Sequence, residues 1–184
     1  MLTALAVEYS AVKRHLIEAQ EVSHPRGTIY NVGFFEDAGR KLRVAIAQIG
    51  AGNQTAAIEV ERAIAFFNPA VVFFVGVAGG IKDVKLGDVV AATKVYGYES
   101  GKAGDEFMPR PISFLSSHDL EQRARMEALK GGWLLRLSKL NFNAPEDSSP
   151  IVHIGPITAG EKALSDTHGE VYKLLRKTTV IPLR

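Results

Sequence analysis

The sequence predicts a three-layer α/β domain with a mixed central sheet and flanking helices. Three observations carry that expectation. Short apolar strand-like runs alternate with segments of helical spacing. Residues 70–75, AVVFFV, are apolar without alternation, as in a strand covered on both faces. Glycine turns follow strand-like runs at residues 50–52, 76–80 and 159–161. In a parallel sheet the carboxyl ends of the strands share one edge, and ligands bind beyond that edge.

The elements follow in order. Residues 2–5 form a short apolar segment that suits a strand. Val12, Leu16 and Ile17 recur at helical intervals. Residues 28–35 and 42–49 read as strands, and the polar, glycine-containing link 36–41 predicts a hairpin. A helix is expected over residues 54–67, ended by Asn68-Pro69 because the residue before proline avoids the α region. The strand 70–75 ends at Gly76, Gly79 and Gly80. Residues 88–93 are another short strand. Residues 96–111 are rich in glycine, proline and charge, and make a candidate binding loop. Residues 119–140 are helical, with Gly131-Gly132 kinking or dividing the helix. Residues 151–158 form a strand and residues 171–177 a short helix.

Composition narrows the function. A chain of 184 residues suits one domain with a substantial core. A net charge of +2 gives no electrostatic reason to expect nucleic acid. The absence of cysteine excludes disulfides and thiolate metal sites. The start lacks the basic segment of a signal peptide, and Glu8 interrupts its apolar run. No apolar run approaches the roughly 20 residues that span a bilayer. The expectation is a cytoplasmic protein with no membrane partner.

Four places carry candidate chemistry. Gly76–Gly80 would let a ligand approach the backbone, or would serve as a tight turn for close packing. The pattern is not GxGxxG, which disfavours a dinucleotide. Gly50-Ala51-Gly52-Asn53 would offer free N–H groups at a helix start, or would be a turn capped by Asn53. Glu8 is placed to act as a general base or acid, or to favour the first turn of a helix. Ala159-Gly160-Glu161 repeats the theme of a glycine turn with a carboxylate. The five histidines show no metal-binding spacing, so no metal and no cofactor are expected; His153 reads as a satisfied, partly buried side chain.

These residues, taken in order, resemble a known family. The run Thr3-Ala4-Leu5-Ala6-Val7-Glu8, the turn Gly50-Ala51-Gly52, and Val75-Gly76-Val77-Ala78-Gly79-Gly80-Ile81 followed by Leu86-Gly87-Asp88-Val89-Val90 carry the resemblance. Tyr96-Gly97-Tyr98-Glu99 and Ala159-Gly160-Glu161-Lys162 continue it. They are similar to the purine nucleoside phosphorylase/uridine phosphorylase superfamily, nearest to the methylthioadenosine/S-adenosylhomocysteine nucleosidase branch. The likeness reaches to about residue 177 and implies a nucleoside phosphorylase-like fold. It also implies cleavage of the N-glycosidic bond of a purine nucleoside in catabolism or salvage. By this resemblance Glu8 helps activate the attacking water. Leu5, Ala51, Gly52, Val77, Ala78 and Gly79 match positions that line the substrate pocket. Ala163 and Leu164 match positions where the family packs the base, and Glu161 matches an acidic position beside them.

Departures from the family shape the reading. Phosphorylase branches carry an arginine shortly before the glycine turn and a serine within it, whereas this chain has Phe74 and Val77. Neither side chain can bind phosphate, which favours water as the nucleophile. Residues 178–184 depart from the family, whose members continue into a ribose-binding acidic motif and an aspartate that protonates the leaving base. The expectation is therefore a partial domain over residues 1–177, incomplete at its C-terminal end and catalytically impaired. Two functions remain: a nucleosidase, or an impaired nucleoside-binding or sensor domain. A homo-oligomer and a larger multidomain parent are both compatible with the sequence.

Overall fold

The computed structural model describes residues 1–81, 83–102, 108–138, 149–161, 172–173 and 175–176. The chain divides into two compact units, residues 1–78 and 79–184. Each carries its own mixed sheet.

The first unit contains β1 (Leu2–Thr3), α1 (Ala6–Lys13), β2 (Ile17–Ser23), β3 (Ile29–Asp37), β4 (Arg40–Gln48) and α2 (Asn53–Phe67). Its strands lie in the order β1-β4-β3-β2. β1 runs parallel to β4, and the other pairs are antiparallel. The expected hairpin is β3–β4. Its two turn residues, Ala38 and Gly39, have φ values of 47° and 77°. Positive φ at both positions is the type I′ geometry that matches the twist of the flanking strands.

The helix expected to continue through Leu16 and Ile17 instead stops at Lys13, and Ile17 opens β2. Two tight bonds close it, from His15 N–H to the Val12 carbonyl and from Leu16 N–H to the Lys13 carbonyl, both 3.0 Å. β2 is an edge strand held by backbone pairing to β3, with its side chains largely exposed. It therefore lacks the apolar alternation that announces a half-buried strand.

α2 matches its expected span. Asn68 closes it in the left-handed conformation, with φ of 43° and its N–H on the Ile64 carbonyl at 2.9 Å. The core joins Leu2 of β1, Tyr30 of β3, Ala47 of β4 and Ala63 of α2, with Val32, Val60 and Phe67 packed around them. The Tyr30 and Phe67 rings meet edge-to-face at 4.9 Å.

Residues 70–75 depart from the expected doubly covered strand. They run beside β1 through one parallel bridge, Leu2 to Phe74. Leu2 N–H donates to the Phe73 carbonyl at 2.8 Å, and Val75 N–H donates to the Leu2 carbonyl at 2.9 Å. Phe73 and Phe74 remain 44% and 53% exposed. A pairing this short does not sustain a regular ladder, although the segment keeps its parallel direction.

The second unit contains β5 (Val89–Gly97), β6 (Gly101–Lys102), β7 (Met108–Pro109), β8 (Ile112–Leu115), α3 (His118–Lys130), α4 (Gly132–Ser138) and β9 (Val152–Ala159). The main sheet has the order β8-β5-β9, with β5 parallel to β9 and antiparallel to β8. β5 extends four residues past the expected end at residue 93. β8 and the short β6–β7 pair lie in or just after the segment read as a loop. The long helix divides at Gly131, whose φ of 63° caps α3. α3 lies against β5 and β9. Residues 172–173 and 175–176 are helical, and the remainder of the expected helix 171–177 lies outside the described residues.

Candidate functional site

The first unit assembles its candidate site at one sheet edge. β1 and β4 are parallel, and so are β1 and the extended segment at Phe74. Their carboxyl ends therefore point the same way. Ile49 N–H donates to the Thr3 carbonyl at 2.9 Å, which sets the end of β4 beside the end of β1. Beyond that edge come Leu5 and Glu8, then Ala51 and Gly52, then Gly76, Val77 and Ala78.

Glu8 is the centre of this arrangement. It sits in the first turn of α1 and is 6% exposed. One carboxylate oxygen, Oε2, accepts the N–H groups of Ala4 at 2.9 Å and Leu5 at 2.8 Å. The other, Oε1, accepts the N–H of Val77 at 2.8 Å. The contact with the Leu5 N–H gives a partner to one of the N–H groups that lack one at the helix start, the side-chain-to-backbone half of a capping box that the Leu5 side chain has no acceptor to complete. The contact with Val77 reaches 69 positions along the chain and joins α1 to the glycine turn. Gly76 makes this approach possible, because a Cβ there would lie 2.9 Å from Glu8 Oε1. A carboxylate offers about four acceptor positions. Three are taken, and the one that remains can receive a water or a ligand hydroxyl.

The structure thus joins Leu5, Glu8 and Val77 by direct bonds. Ala51 and Gly52 occupy the same edge. Gly52 is the N-cap of α2 with φ of 110°, and Asn53 is the first helical residue, so the capping role read for Asn53 is not the one observed. The Val77 side chain is 80% exposed.

Gly79 and Glu161 belong to the second unit. Gly79 has open space where a Cβ would stand. Glu161 follows β9, and its N–H donates to Glu99 Oε2 at 2.7 Å. Ala163 and Leu164 lie outside the described residues.

Two polar features of the second unit escape the sequence reading of sites. The first is the buried pair of Asp88 and His153. His153 Nε2 is 2.8 Å from Asp88 Oδ2, with the two side chains 3% and 5% exposed. Asp88 Oδ2 also accepts Lys85 N–H at 2.8 Å, and Oδ1 accepts Ile151 N–H at 2.9 Å. Burial alone would raise the Asp88 pKa, but the Ile151, His153 and Lys85 donors together hold it down at about 2. His153 is thus a satisfied core residue, as its setting in a strand suggests. The second feature is Glu99, which the sequence marks only as the end of the run Tyr96-Gly97-Tyr98-Glu99 and as a residue just past a strand that proves parallel to β9. Beside it, burial raises the Tyr98 phenol above its ordinary value, and the Glu99 charge adds to the rise. Among the described residues no group of three or more His, Cys, Asp or Glu side chains could hold a metal, and no helix is long and apolar enough to cross a membrane.

Glycine turns and a carboxylate at the carboxyl edge of parallel strands place the chain among α/β domains, the class whose ligands commonly sit beyond that edge. Residues 1–181 match the Phosphorylase superfamily, and the chain belongs to that family. It is 32% identical over 119 residues to the ATP nucleosidase Cap17 of Escherichia coli, covering 60% of this chain and 23% of that protein. It is 32% identical over 112 residues to the 5′-methylthioadenosine/S-adenosylhomocysteine nucleosidase of an Exiguobacterium species, covering 55% of this chain and 46% of that protein. The matches thus span about a quarter to a half of the length of these relatives. The fold resembles that of the Helicobacter pylori 5′-methylthioadenosine/S-adenosylhomocysteine nucleosidase, solved with a pyrrolidinol ligand. The TM-score is 0.71 at 18% identity, covering 96% of this chain and 68% of that one. Native futalosine hydrolase of the same organism gives a TM-score of 0.70 at 16% identity, with the same coverage.

Proposed function

We propose that this chain cleaves the N-glycosidic bond of a purine nucleoside, of the methylthioadenosine or S-adenosylhomocysteine type, in the cytoplasm and with water as the nucleophile. The observation that carries the reading is Glu8, a buried carboxylate bonded to the backbone of the glycine turn with one acceptor position to spare. Its resemblance to the water-activating glutamate of nucleosidases adds to it. So do the relatives, whose names describe nucleosidases. By the resemblance, Phe74 and Val77 stand at positions where phosphorylases carry phosphate-binding side chains.

In this reading Leu5, Ala51, Gly52, Val77 and Ala78 of the first unit line the nucleoside, while for Gly79, Glu161, Ala163 and Leu164 the resemblance alone implies a substrate-binding role. Glu8 takes a proton from water as the water oxygen bonds to the anomeric carbon. The carbon–nitrogen bond breaks, its electron pair leaves with the base, the base takes a proton from solvent water, and Glu8 returns its proton to solvent. The test is adenine release from methylthioadenosine, S-adenosylhomocysteine and ATP, each with and without millimolar phosphate. Free sugar and phosphate-independent release are expected. A sugar 1-phosphate product would overturn the hydrolytic reading. Glu8→Gln should lower kcat by about 10²–10⁴-fold, the usual contribution of general acid–base catalysis.

One observation favours a second reading. Glu8 already accepts three N–H groups, which suits a structural clasp. A nucleoside-binding or sensor domain would then show calorimetric binding of adenosine analogues with no turnover.

A further inference from the structure

β5 and β9 leave their sheet side by side. The parallel register pairs Gly97 with Ala159, so Glu99 and Glu161 each stand two residues beyond the last pair. There the two exits are tied together twice. Glu99 Oε2 accepts the Glu161 N–H at 2.7 Å. The Tyr98 ring packs onto Gly160 so closely that a Cβ at residue 160 would lie 2.6 Å from the phenol oxygen. Tyr98 is 8% exposed. The second oxygen of Glu99, Oε1, is buried, and no hydrogen-bond partner is found for it among the described residues. One carboxylate oxygen kept from water at a turn is costly unless its position matters, because a buried acceptor without a partner forfeits its hydration.

We propose that Glu99 is a positioning residue for the turn at residues 160–161. Its carboxylate sets the backbone that leads into the stretch proposed above to pack the base, while the Tyr98–Gly160 contact fixes the height of that turn above the sheet. The proposal rests on the nucleosidase reading for its consequence in binding, but not for the local bond. Glu99 acts through the Glu161 amide and needs no contact with substrate. A glutamine can replace it, because its carbonyl oxygen accepts the same N–H. An alanine cannot, and an aspartate falls one methylene short.

The test uses the full chain and three variants: Glu99→Gln, Glu99→Ala and Gly160→Ala. Amide hydrogen exchange at Glu161, resolved by NMR, reads the local bond directly. It should speed up at least tenfold in Glu99→Ala and stay near the parent value in Glu99→Gln, since a hydrogen bond to a charged group protects by about that much or more. Calorimetry with adenine and methylthioadenosine then reads the consequence. Glu99→Ala should weaken binding or raise KM about tenfold with little change in kcat, with recovery in Glu99→Gln. Gly160→Ala should follow Glu99→Ala. Unchanged exchange at Glu161 in folded Glu99→Ala overturns the proposal, whatever the ligand data show. Faster exchange with unchanged binding, in a parent chain that does bind, overturns the link to the base. A parent chain that neither binds nor cleaves these compounds counts against the nucleosidase reading, and the exchange result still decides the local bond. Should Glu99→Ala fail to fold, Glu99→Asp supplies the same comparison, and slow exchange there would count against the proposal.

Discussion

Glu8 and Asp88 are both carboxylates wrapped in backbone N–H groups, yet the sequence treated them differently. Glu8 stands out because an acid in the first turn of a helix after a strand has two readings, and the structure shows its position in the first turn of α1. The sequence shows Asp88 only as part of the run Leu86-Gly87-Asp88-Val89-Val90, because its partners Ile151 and His153 lie more than 60 residues away and no local pattern announces them. Each supports a prediction. Gly76→Ala should push the Glu8 carboxylate away, since the new Cβ would sit 2.9 Å from Oε1. The expected cost is about 1–3 kcal/mol of stability. If Glu8 acts on water, activity should also fall roughly 10²-fold through misplacement. Chemical denaturation and the adenine-release assay check the two parts. For Asp88 the sign is set by a folded pKa of about 2 against an ordinary 3.8. The unfolded chain binds the proton more readily, so this carboxylate stabilises the fold above about pH 4, and the contribution disappears as pH falls towards 2. Asp88→Asn should flatten the pH dependence of the melting temperature across that window.

Among the elements, those with inward-facing apolar side chains or a marked glycine break were legible. α2, the β3–β4 hairpin and β9 lie within a few residues of their expected spans, and the α3–α4 break falls at Gly131-Gly132 as read. β2 and β8 were not, because both are edge strands with mostly exposed side chains, held by main-chain bonds that leave no mark on composition. The segment 70–75 failed in the opposite sense: its composition reads as a buried strand, while its pairing amounts to one bridge. The β3–β4 turn yields a prediction at this scale. Ala38 holds a positive φ of 47°, which an L residue without a short polar side chain adopts at a cost. Ala38→Asn would place Asn-Gly in a type I′ turn and should stabilise by about 0.5–1 kcal/mol, seen as a higher midpoint in urea.

For the whole chain, order of motifs carried more information than any motif alone. Each glycine turn admitted a purely structural account, and only their sequence along the chain pointed to the family that residues 1–181 match. What the order did not reveal is how each turn is held, because Glu8 on Val77 and Glu99 on Glu161 are contacts between distant parts of the chain. The division into two compact units gives a prediction of its own. Native-state hydrogen exchange should find one slow cluster in each: Leu2, Val32 and Ala47 with their neighbours in the first, and the paired amides of β5 and β9 in the second. β6 and β7, two residues each, should exchange fastest among the strands of the second. A single uniform rate throughout would contradict the division.

The clasp at Glu8 bears on which nucleophile the proposed reaction admits. Backbone amides gathered around one point make a receptor for a negative charge, and a phosphate would ordinarily be its guest. Here the chain fills that receptor with a side chain of its own. The turn is a lock that already holds its key, and an external anion would have to evict Glu8 to enter. Water asks for no such exchange: it needs only the acceptor position that the three amides leave open.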